Sequence, residues 1–238
     1  MKQSFRLLLG IAAAVAASAP ACAQSAGSNI VQLGWFHFDT HDSSDPLTFS
    51  QPALGPVPGS GAAVGSANTV GLAYTRFFSD NFALTFDIGA PPKFDLDGKG
   101  SLAGLGHVGS AHQWSPALVA KWFFGGAEDR FRPYVGVGAT YVWYSDVHLS
   151  PSLVAQVTGG APGGSASADI GSSWSPIANL GAVYNIDRKW SLGLSVSYIW
   201  LDADADITGK VGNTVVTRSH TRLTLDPLVT FLSVGYRF

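Results

Sequence analysis

The sequence has a single cysteine, few charged residues and no long apolar run after residue 23. One cysteine cannot form a disulfide framework within the chain. No later stretch approaches the 18 continuous apolar residues expected of a membrane-spanning helix. Without Lys2 and Arg6, 12 basic residues stand against 16 acidic ones, a net charge of −4 that argues against nucleic acid as a partner. Glycine and aromatic residues are plentiful instead, which favours many short strands and tight turns.

Residues 1–23 have the features of a secretory signal peptide. Lys2 and Arg6 precede an apolar run over residues 7–17, and alanines surround Cys22 ahead of an expected cleavage before Gln24. The run is too short to span a bilayer, which needs about 20 residues. Lipidation of Cys22 is the alternative, but the leucine that begins a lipoprotein cleavage box is missing. We therefore predict a cleaved signal over 1–23 and one domain over 24–238.

Eight segments of the mature chain have the two-residue alternation of β-strands. They are 29–39, 68–78, 81–90, 114–124, 132–144, 173–186, 190–202 and 228–238. Short turns at 79–81, 125–131 and 187–189 alternate with long Gly/Pro/Ser-rich loops at roughly 40–67, 91–112, 145–172 and 203–220. An even number of strands with this alternation is typical of outer-membrane barrels.

The larger apolar face of these strands is predicted to meet lipid. In 190–202, for example, Trp190, Leu192 and Leu194 alternate with Ser191 and Gly193. A soluble barrel such as a lipocalin, with the apolar face inside, is the alternative, but exposed strands usually carry more Lys, Glu and Thr. Aromatic residues are expected to form belts at the two membrane interfaces. They are Phe77, Phe78, 122–124, Trp190, Tyr236 and Phe238 near the short turns, and Tyr141, Trp143, Tyr198 and Trp200 near the loops.

These features predict an all-β fold, an eight-stranded antiparallel transmembrane β-barrel with short periplasmic turns and long extracellular loops. The chain also resembles the OmpW family of small outer-membrane proteins, which includes relatives implicated in alkane uptake. The resemblance covers nearly the whole mature chain in order, while the long loops match poorly. It is carried by GLAYTRFFSDNFAL (71–84), APPKF (90–94), SPALVAKWFFG (115–125), FRPYVGVGATY (131–141), RKWSLGLSVSYIWLDAD (188–204) and RLTLDPLVTFLSVGYRF (222–238).

The resemblance implies location in the outer membrane of a Gram-negative bacterium. It also implies a channel or receptor for small hydrophobic molecules, open on the loop side and releasing its cargo sideways into the membrane. Expected partners are outer-membrane lipid, lipopolysaccharide and the small solutes. The closing GYRF resembles the C-terminal aromatic signal by which the barrel-assembly machinery recognises its substrates. The alternative is a structural or adhesive barrel that acts through its surface loops without transport.

Small side chains dominate the face predicted to line the lumen. The candidate lumen residues are Thr85, Asp87, Lys121, Thr140, Ser195, Ser197 and Phe231. Asp87 and Ser197 are polar at mid-barrel, where an apolar conduit would prefer bulky apolar residues. A wetter lumen of this kind would favour small polar solutes or a closed floor. Lys121 is a candidate ion-pair partner for Asp87 on the neighbouring strand.

The first long loop is the candidate mouth of the barrel. Leu47, Phe49, Leu54 and Val57 lie among four prolines there, which predicts a stiffened apolar rim. Packing within the loop is the alternative interpretation.

Other motifs fit ordinary loops better than sites. Residues 104–109 spell G-x-G-x-x-G but lie in a predicted hairpin loop rather than between a strand and a helix. Asp202, Asp204 and Asp206 suggest calcium, yet the glycine and glutamate of an EF-hand are absent, so a looser cation site is the remaining alternative. Ser219 and His220, with Asp226 nearby, suggest a lipid-hydrolysing triad, but adjacent strand residues point to opposite sides. The six histidines are scattered, and we expect no metal, no cofactor and no catalysis.

Overall fold

A computed structural model describes residues 24–238 and shows a closed barrel of eight antiparallel strands. The predicted signal peptide, 1–23, lies outside the described residues. The wall strands are β1 Asn29–Asp39, β6 Ala67–Phe77, β7 Phe82–Gly89, β10 Ala117–Phe123, β11 Phe131–Leu149, β13 Ser173–Asn185, β14 Trp190–Ile199 and β17 Leu228–Arg237. Each pairs with its neighbours along the chain, and β1 pairs with β17 to close the ring. The prediction of eight spanning strands is confirmed.

The predicted alternation of faces also holds around the wall. On β14 the odd positions Ser191, Gly193 and Ser195 are buried, while Leu192 and Leu194 are exposed. The structure settles the first strand, which the sequence left open: even-numbered residues of β1 face inward, and Leu33 and Trp35 face outward. The exposed surface of the wall is therefore apolar, as a lipid-facing band must be.

Aromatic side chains border both ends of this band, but two of the predicted members are wrong. Phe78, Trp122 and Phe124 are exposed near the short turns. Phe77 and Phe123 are instead almost fully buried, because each is the neighbour of an outward residue on a strand that alternates. They pack inside the barrel with ring centroids 4.9 Å apart.

The predicted long connections are present, and most of each one is regular structure. Together these segments form a cap over the long-connection end of the barrel. The cap consists of β2 Ser43–Ser44, β3 Thr48–Gln51, β4 Gly55–Pro56, β5 Ser60–Val64, β8 Lys93–Gly100, β9 His107–Trp114, α1 Pro151–Thr158, β12 Gly164–Ile170, β15 Asp202–Val211 and β16 Thr214–Thr224. The G-x-G-x-x-G stretch contributes a short 3₁₀ turn, Ala103–Leu105, and the start of β9.

Two arrangements hold the cap together. Strands β5, β8 and β9 extend the barrel sheet onto the upper half of β11, and β12, β15, β16, β3 and β4 form a second sheet in that order. Helix α1 has local start and stop signals: the Ser150 hydroxyl accepts from the Leu153 N–H, and Gly159 ends the helix in a left-handed conformation. Its buried Leu153 and Val157 pack on Ile207 of β15.

The short-turn end of the barrel is filled by a plug of Ile30, Phe77, Ala83, Phe123, Tyr134 and Val183. Beneath the plug lies Arg132, whose side chain is fully buried. Its guanidinium donates to the carbonyl oxygens of Gln24, at 3.0 Å, and of Asp80. It also lies 5.2 Å from the ring centroid of Phe123. One cation thus ties Gln24 and the first short turn to the plug.

No helix within residues 24–238 is long and apolar enough to cross a membrane.

Replacing Arg132 by methionine should lower the free energy of unfolding by about 2–3 kcal/mol, because it removes hydrogen bonds from a charged donor and leaves the buried Gln24 carbonyl unpaired. Urea unfolding of the barrel in lipid vesicles measures this. Arg130→Met, two residues away and partly exposed, is the matched control and should change little. Equal losses of unfolding free energy in both variants would contradict the role of Arg132 in holding Gln24 and the first short turn against the plug.

Candidate functional site

The cap encloses an apolar upper cavity of about 750 Å³, counted out to its open mouth. Leu47, Leu96 and Leu153 line it from three different connections, and Ile207 and Leu223 line it from the second sheet. Among its lining residues, Asp45, Ser110, His148 and Thr221 carry polar side chains. An apolar pocket with a few polar groups is the usual form of a small-molecule site.

The four predicted mouth residues separate in the structure. Leu47 is buried and lines the upper cavity, and Phe49 packs against the same cluster. Val57 is half-buried, and its N–H donates to the Leu47 carbonyl at 2.9 Å. Leu54 points away and is 73% exposed. Leu54 lies in the turn between β3 and β4, away from the cavity, so the first loop supplies part of a cavity wall rather than a continuous apolar rim.

A lower cavity of about 570 Å³, counted out to its mouth, lies inside the barrel beneath the cap. Phe36 and Phe38 of β1 line it together with Val119, Ile177 and Ile199 of other strands. Its polar side chains belong to Thr69, Asp87, Gln113, Ser115, Thr140 and Ser197. The lower cavity is thus an apolar chamber with polar groups set into its wall.

The floor of the lower cavity is a stack of two phenylalanine rings. Phe36 and Phe231 lie parallel, with centroids 4.0 Å apart. A side chain at Gly34 would meet the Phe231 ring at 2.6 Å, and one at Gly71 would meet the Phe36 ring at 2.4 Å. The two glycines therefore make room for the rings to lie flat on the inner wall. Beneath them, the Thr75 and Thr85 hydroxyls are 2.9 Å apart.

The seven predicted lumen residues all face inward but occupy three levels. Asp87, Thr140 and Ser197 line the lower cavity. Phe231 forms its floor, with Ser195 opposite it in register and Thr85 below. Lys121 lies nearest the short turns, 4.8 Å above the Tyr134 ring of the plug. Whether solutes touch these residues stays a prediction.

The proposed Lys121–Asp87 ion pair does not form. Lys121 is opposite Ala83 in register, whereas Asp87 is opposite Ala117. Four residues of strand, about 13 Å, separate the two levels. Among residues 24–238 no salt bridge involves either side chain. The predicted ion pair assumed that Lys121 and Asp87 lie at neighbouring levels of the barrel. Their levels depend on the register between strands, which is set only when the sheet assembles.

The barrel wall has a gap beside the lower cavity. The ladder between β7 and β10 ends at the Asp87–Ala117 pair, and toward the cap the next backbone contact is the Gln113 N–H donating to the Pro92 carbonyl at 3.1 Å, where the β8–β9 ladder begins. Pro91, Pro92 and Pro116 lie in the interval, and proline has no N–H to donate. Here Ala90 pairs with β6 and the carbonyl of Pro116 accepts from β11, so each side is bonded to its outer neighbour. Outward-facing Ile88 lines the cavity along with inward residues, so the cavity reaches into the wall.

Several lining residues escaped sequence reasoning. Phe36 and Phe38 lie on the first strand, whose two faces look equally apolar. Gln113 lies at the edge of a segment predicted to be loop. Leu153 belongs to a short helix whose signals, Ser150-Pro151 before it and Gly159 after it, were present in the sequence and could have revealed it.

The motifs considered for catalysis and calcium are arranged differently. Ser219 is buried and His220 is exposed, on opposite faces of β16 as predicted. Asp226 accepts from the Tyr198 hydroxyl at 3.0 Å instead of approaching them. On the outer face of the β15–β16 hairpin, Asp204 accepts from the Arg222 guanidinium at 2.8 Å, and Asp206 lies 3.0 Å from the His220 ring. Within the described chain, no group of three or more His, Cys, Asp or Glu side chains is arranged so that it could hold a metal ion.

Comparison with known proteins agrees with this architecture. The OmpW family model matches residues 25–238. Outer membrane protein W of Vibrio cholerae serotype O1 is 30% identical over 241 residues, covering 100% of each chain. The crystal structure of the outer membrane protein OprG from Pseudomonas aeruginosa has a TM-score of 0.80 at 27% identity, covering 91% of this chain and 98% of that one. The dibenzothiophene metabolism operon protein PahQ of Pseudomonas aeruginosa is 25% identical over 182 residues, 76% of this chain and 77% of PahQ.

The ion pair on the β15–β16 hairpin predicts a pH dependence. The hydrogen bond from Arg222 lowers the pKa of Asp204 below its ordinary value of 3.8. The contribution of this pair to hairpin stability is therefore complete above that value and is lost as the pH falls through the lowered pKa. In Arg222→Gln the pKa of Asp204 should rise toward 3.8, measured by carboxyl NMR titration.

Arg218→Gln, an exposed arginine on the same strand, is the control and should leave the Asp204 titration in place. An unchanged pKa in Arg222→Gln would contradict the assigned cause.

Proposed function

This outer-membrane protein belongs to the OmpW family, and we propose that it admits small hydrophobic molecules through the outer membrane. The proposal is supported by two largely apolar cavities, one in the cap and one in the barrel beneath it. The lower cavity extends to the gap in the barrel wall. The relatives matched are outer-membrane barrel proteins, and the proposal involves no chemical conversion.

Entry occurs at the upper cavity. The charged outer layer of lipopolysaccharide repels apolar solutes, and transfer into an apolar pocket releases about 25 cal/mol for each Å² of apolar surface removed from water. Leu47, Leu96, Leu153 and Ile207 offer such a surface outside the barrel wall. A solute held there has already left water before it reaches the barrel.

Exit occurs sideways. Below the lower cavity the Phe36–Phe231 stack and the plug fill the barrel, as expected of eight strands, whose interior is about filled by side chains. Ile88 and Ser115 flank the gap and both line the lower cavity, and the Ile88 side chain is exposed on the outer face of the wall. A hydrophobic solute gains by entering lipid there, whereas a straight path to the periplasm would return it to water.

The name of one relative supports the proposed class of solute. PahQ is named for a dibenzothiophene metabolism operon, and dibenzothiophene is an apolar aromatic molecule. The competing function is a structural or adhesive barrel whose cap binds outside partners. It predicts that filling the cavities has no effect on uptake.

Filling the upper cavity should stop uptake. Ala205 is buried and lines it, so Ala205→Phe should reduce the initial uptake of radiolabelled toluene to the rate of cells with an empty vector. Ala120→Phe makes the same change on the lipid-facing side of β10 and should keep the wild-type rate. Heat-dependent gel mobility verifies that both variants fold. Wild-type uptake equal to that of empty cells would overturn the proposal and leave the adhesive alternative.

Filling the lower cavity should have the same effect. Ala117 faces this cavity at the last β7–β10 pair, so a phenylalanine there occupies the approach to the gap. Toluene uptake should fall in Ala117→Phe and persist in Leu118→Phe, whose side chain faces lipid. Uptake that persists in Ala117→Phe would exclude a route through the barrel.

A further inference from the structure

We propose that Asp87 makes the lower cavity selective for hydrophobic solutes that carry a hydrogen-bond donor, above all an ammonium group. The inference rests on the proposed function and specifies which molecules that route prefers. It implies that amphipathic amines pass better than bare hydrocarbons of the same size.

The Asp87 carboxyl group is isolated in the lower cavity. Asp87 lies on the inner face of β7 and lines the lower cavity. Within the described chain no side chain donates a hydrogen bond to it and no cation lies within 4.0 Å of it. Lys121 attracts it only from a distance, because that side chain extends over Tyr134.

The neighbouring donors are engaged elsewhere. The Thr140 hydroxyl donates to the Pro116 carbonyl at 2.9 Å, and the Thr69 hydroxyl donates to the Ala90 carbonyl at 2.7 Å. The amide of Asn179 donates to Ser197 at 2.8 Å. Gln113 and Ser115 also line the cavity, but within the described chain neither side chain donates a hydrogen bond to Asp87, whose carboxyl is left facing the empty space.

Leaving the Asp87 carboxyl group without a partner costs free energy. A carboxylate removed from water without a partner is costly, and native proteins keep such groups where they serve a purpose. Stability alone would favour an apolar residue facing Phe36, Val119 and Ile177. Water can satisfy Asp87 while the cavity is unoccupied, but a hydrocarbon that displaces this water offers no donor in return.

The lower cavity and Asp87 together suit a ligand with two distinct parts. A solute with an apolar body and an ammonium head can place the body against the phenylalanine and isoleucine side chains while its head donates to Asp87. Hydrogen bonds that involve an ionised group are roughly twice as strong as neutral ones. A site with an unpaired acceptor also discriminates strongly against an analogue that lacks the donor. The expected order is benzylamine first, benzyl alcohol second and toluene last.

The test uses these three molecules, which share one aromatic ring. The full barrel in lipid nanodiscs is titrated with each, and NMR shifts of the amides of Val119, Thr140 and Ile199 give the dissociation constants after correction for partition into lipid. Wild type should bind benzylamine roughly tenfold more tightly than toluene. Asp87→Asn should bring this ratio close to one, Asp87→Glu should retain it, and Asp169→Asn, an exposed carboxylate on β12, should match wild type.

Two results would overturn the inference: a wild-type ratio near one, or an Asp87→Asn variant that keeps the preference for the amine. Toluene uptake by cells, measured in parallel, separates this failure from that of the proposed function. Uptake by wild type without any amine preference keeps the route and removes the role of Asp87. Uptake equal to that of empty cells removes both.

Discussion

A strand that crosses lipid must pair every backbone N–H and C=O group with another strand, because hydrocarbon offers no other partner. Here that constraint is met by a ring in which the first strand, β1, pairs along its whole length with the last, β17. The ring determines the rest of the molecule. It forces one face of each strand toward lipid and the other into a narrow interior, and it places the chain connections at two ends where backbone groups can meet water.

The gap between β7 and β10 is notable against this constraint. Prolines occupy the gap. Because proline has no backbone N–H, fewer donors are left there without a partner than if other residues occupied these positions. Apart from the bond between the Gln113 N–H and the Pro92 carbonyl at the cap end of the gap, Ala90 and Pro116 direct their hydrogen bonds to the outer neighbours β6 and β11. The wall can therefore open beside the lower cavity at little cost in unpaired backbone, which is the physical condition for a side exit from a closed barrel.

The interior divides into a filled half and an unfilled half for reasons of side-chain size. Toward the short turns, Phe77, Phe123 and Tyr134 meet in the plug above the buried Arg132. Toward the cap, Thr140, Ser197 and Ala117 leave room above the Phe36–Phe231 stack. Polar lumen residues thus lie in both halves, and Asp87 of the unfilled half accepts no side-chain hydrogen bond within the described chain.

The amino-acid sequence by itself determined the number of spanning strands and the face on which each inward residue lies, because both follow from a local two-residue period that any strand in lipid must obey. It was ambiguous for β1, where Phe36 and Phe38 alternate with Trp35, and it underestimated the connections, whose glycines and prolines concealed a second sheet. Only the tertiary structure decided that Leu47 lines a cavity while Leu54 does not, and that Asp87 and Lys121 lie at different levels. Those facts depend on the register between strands and on contacts between distant connections, which no local period encodes.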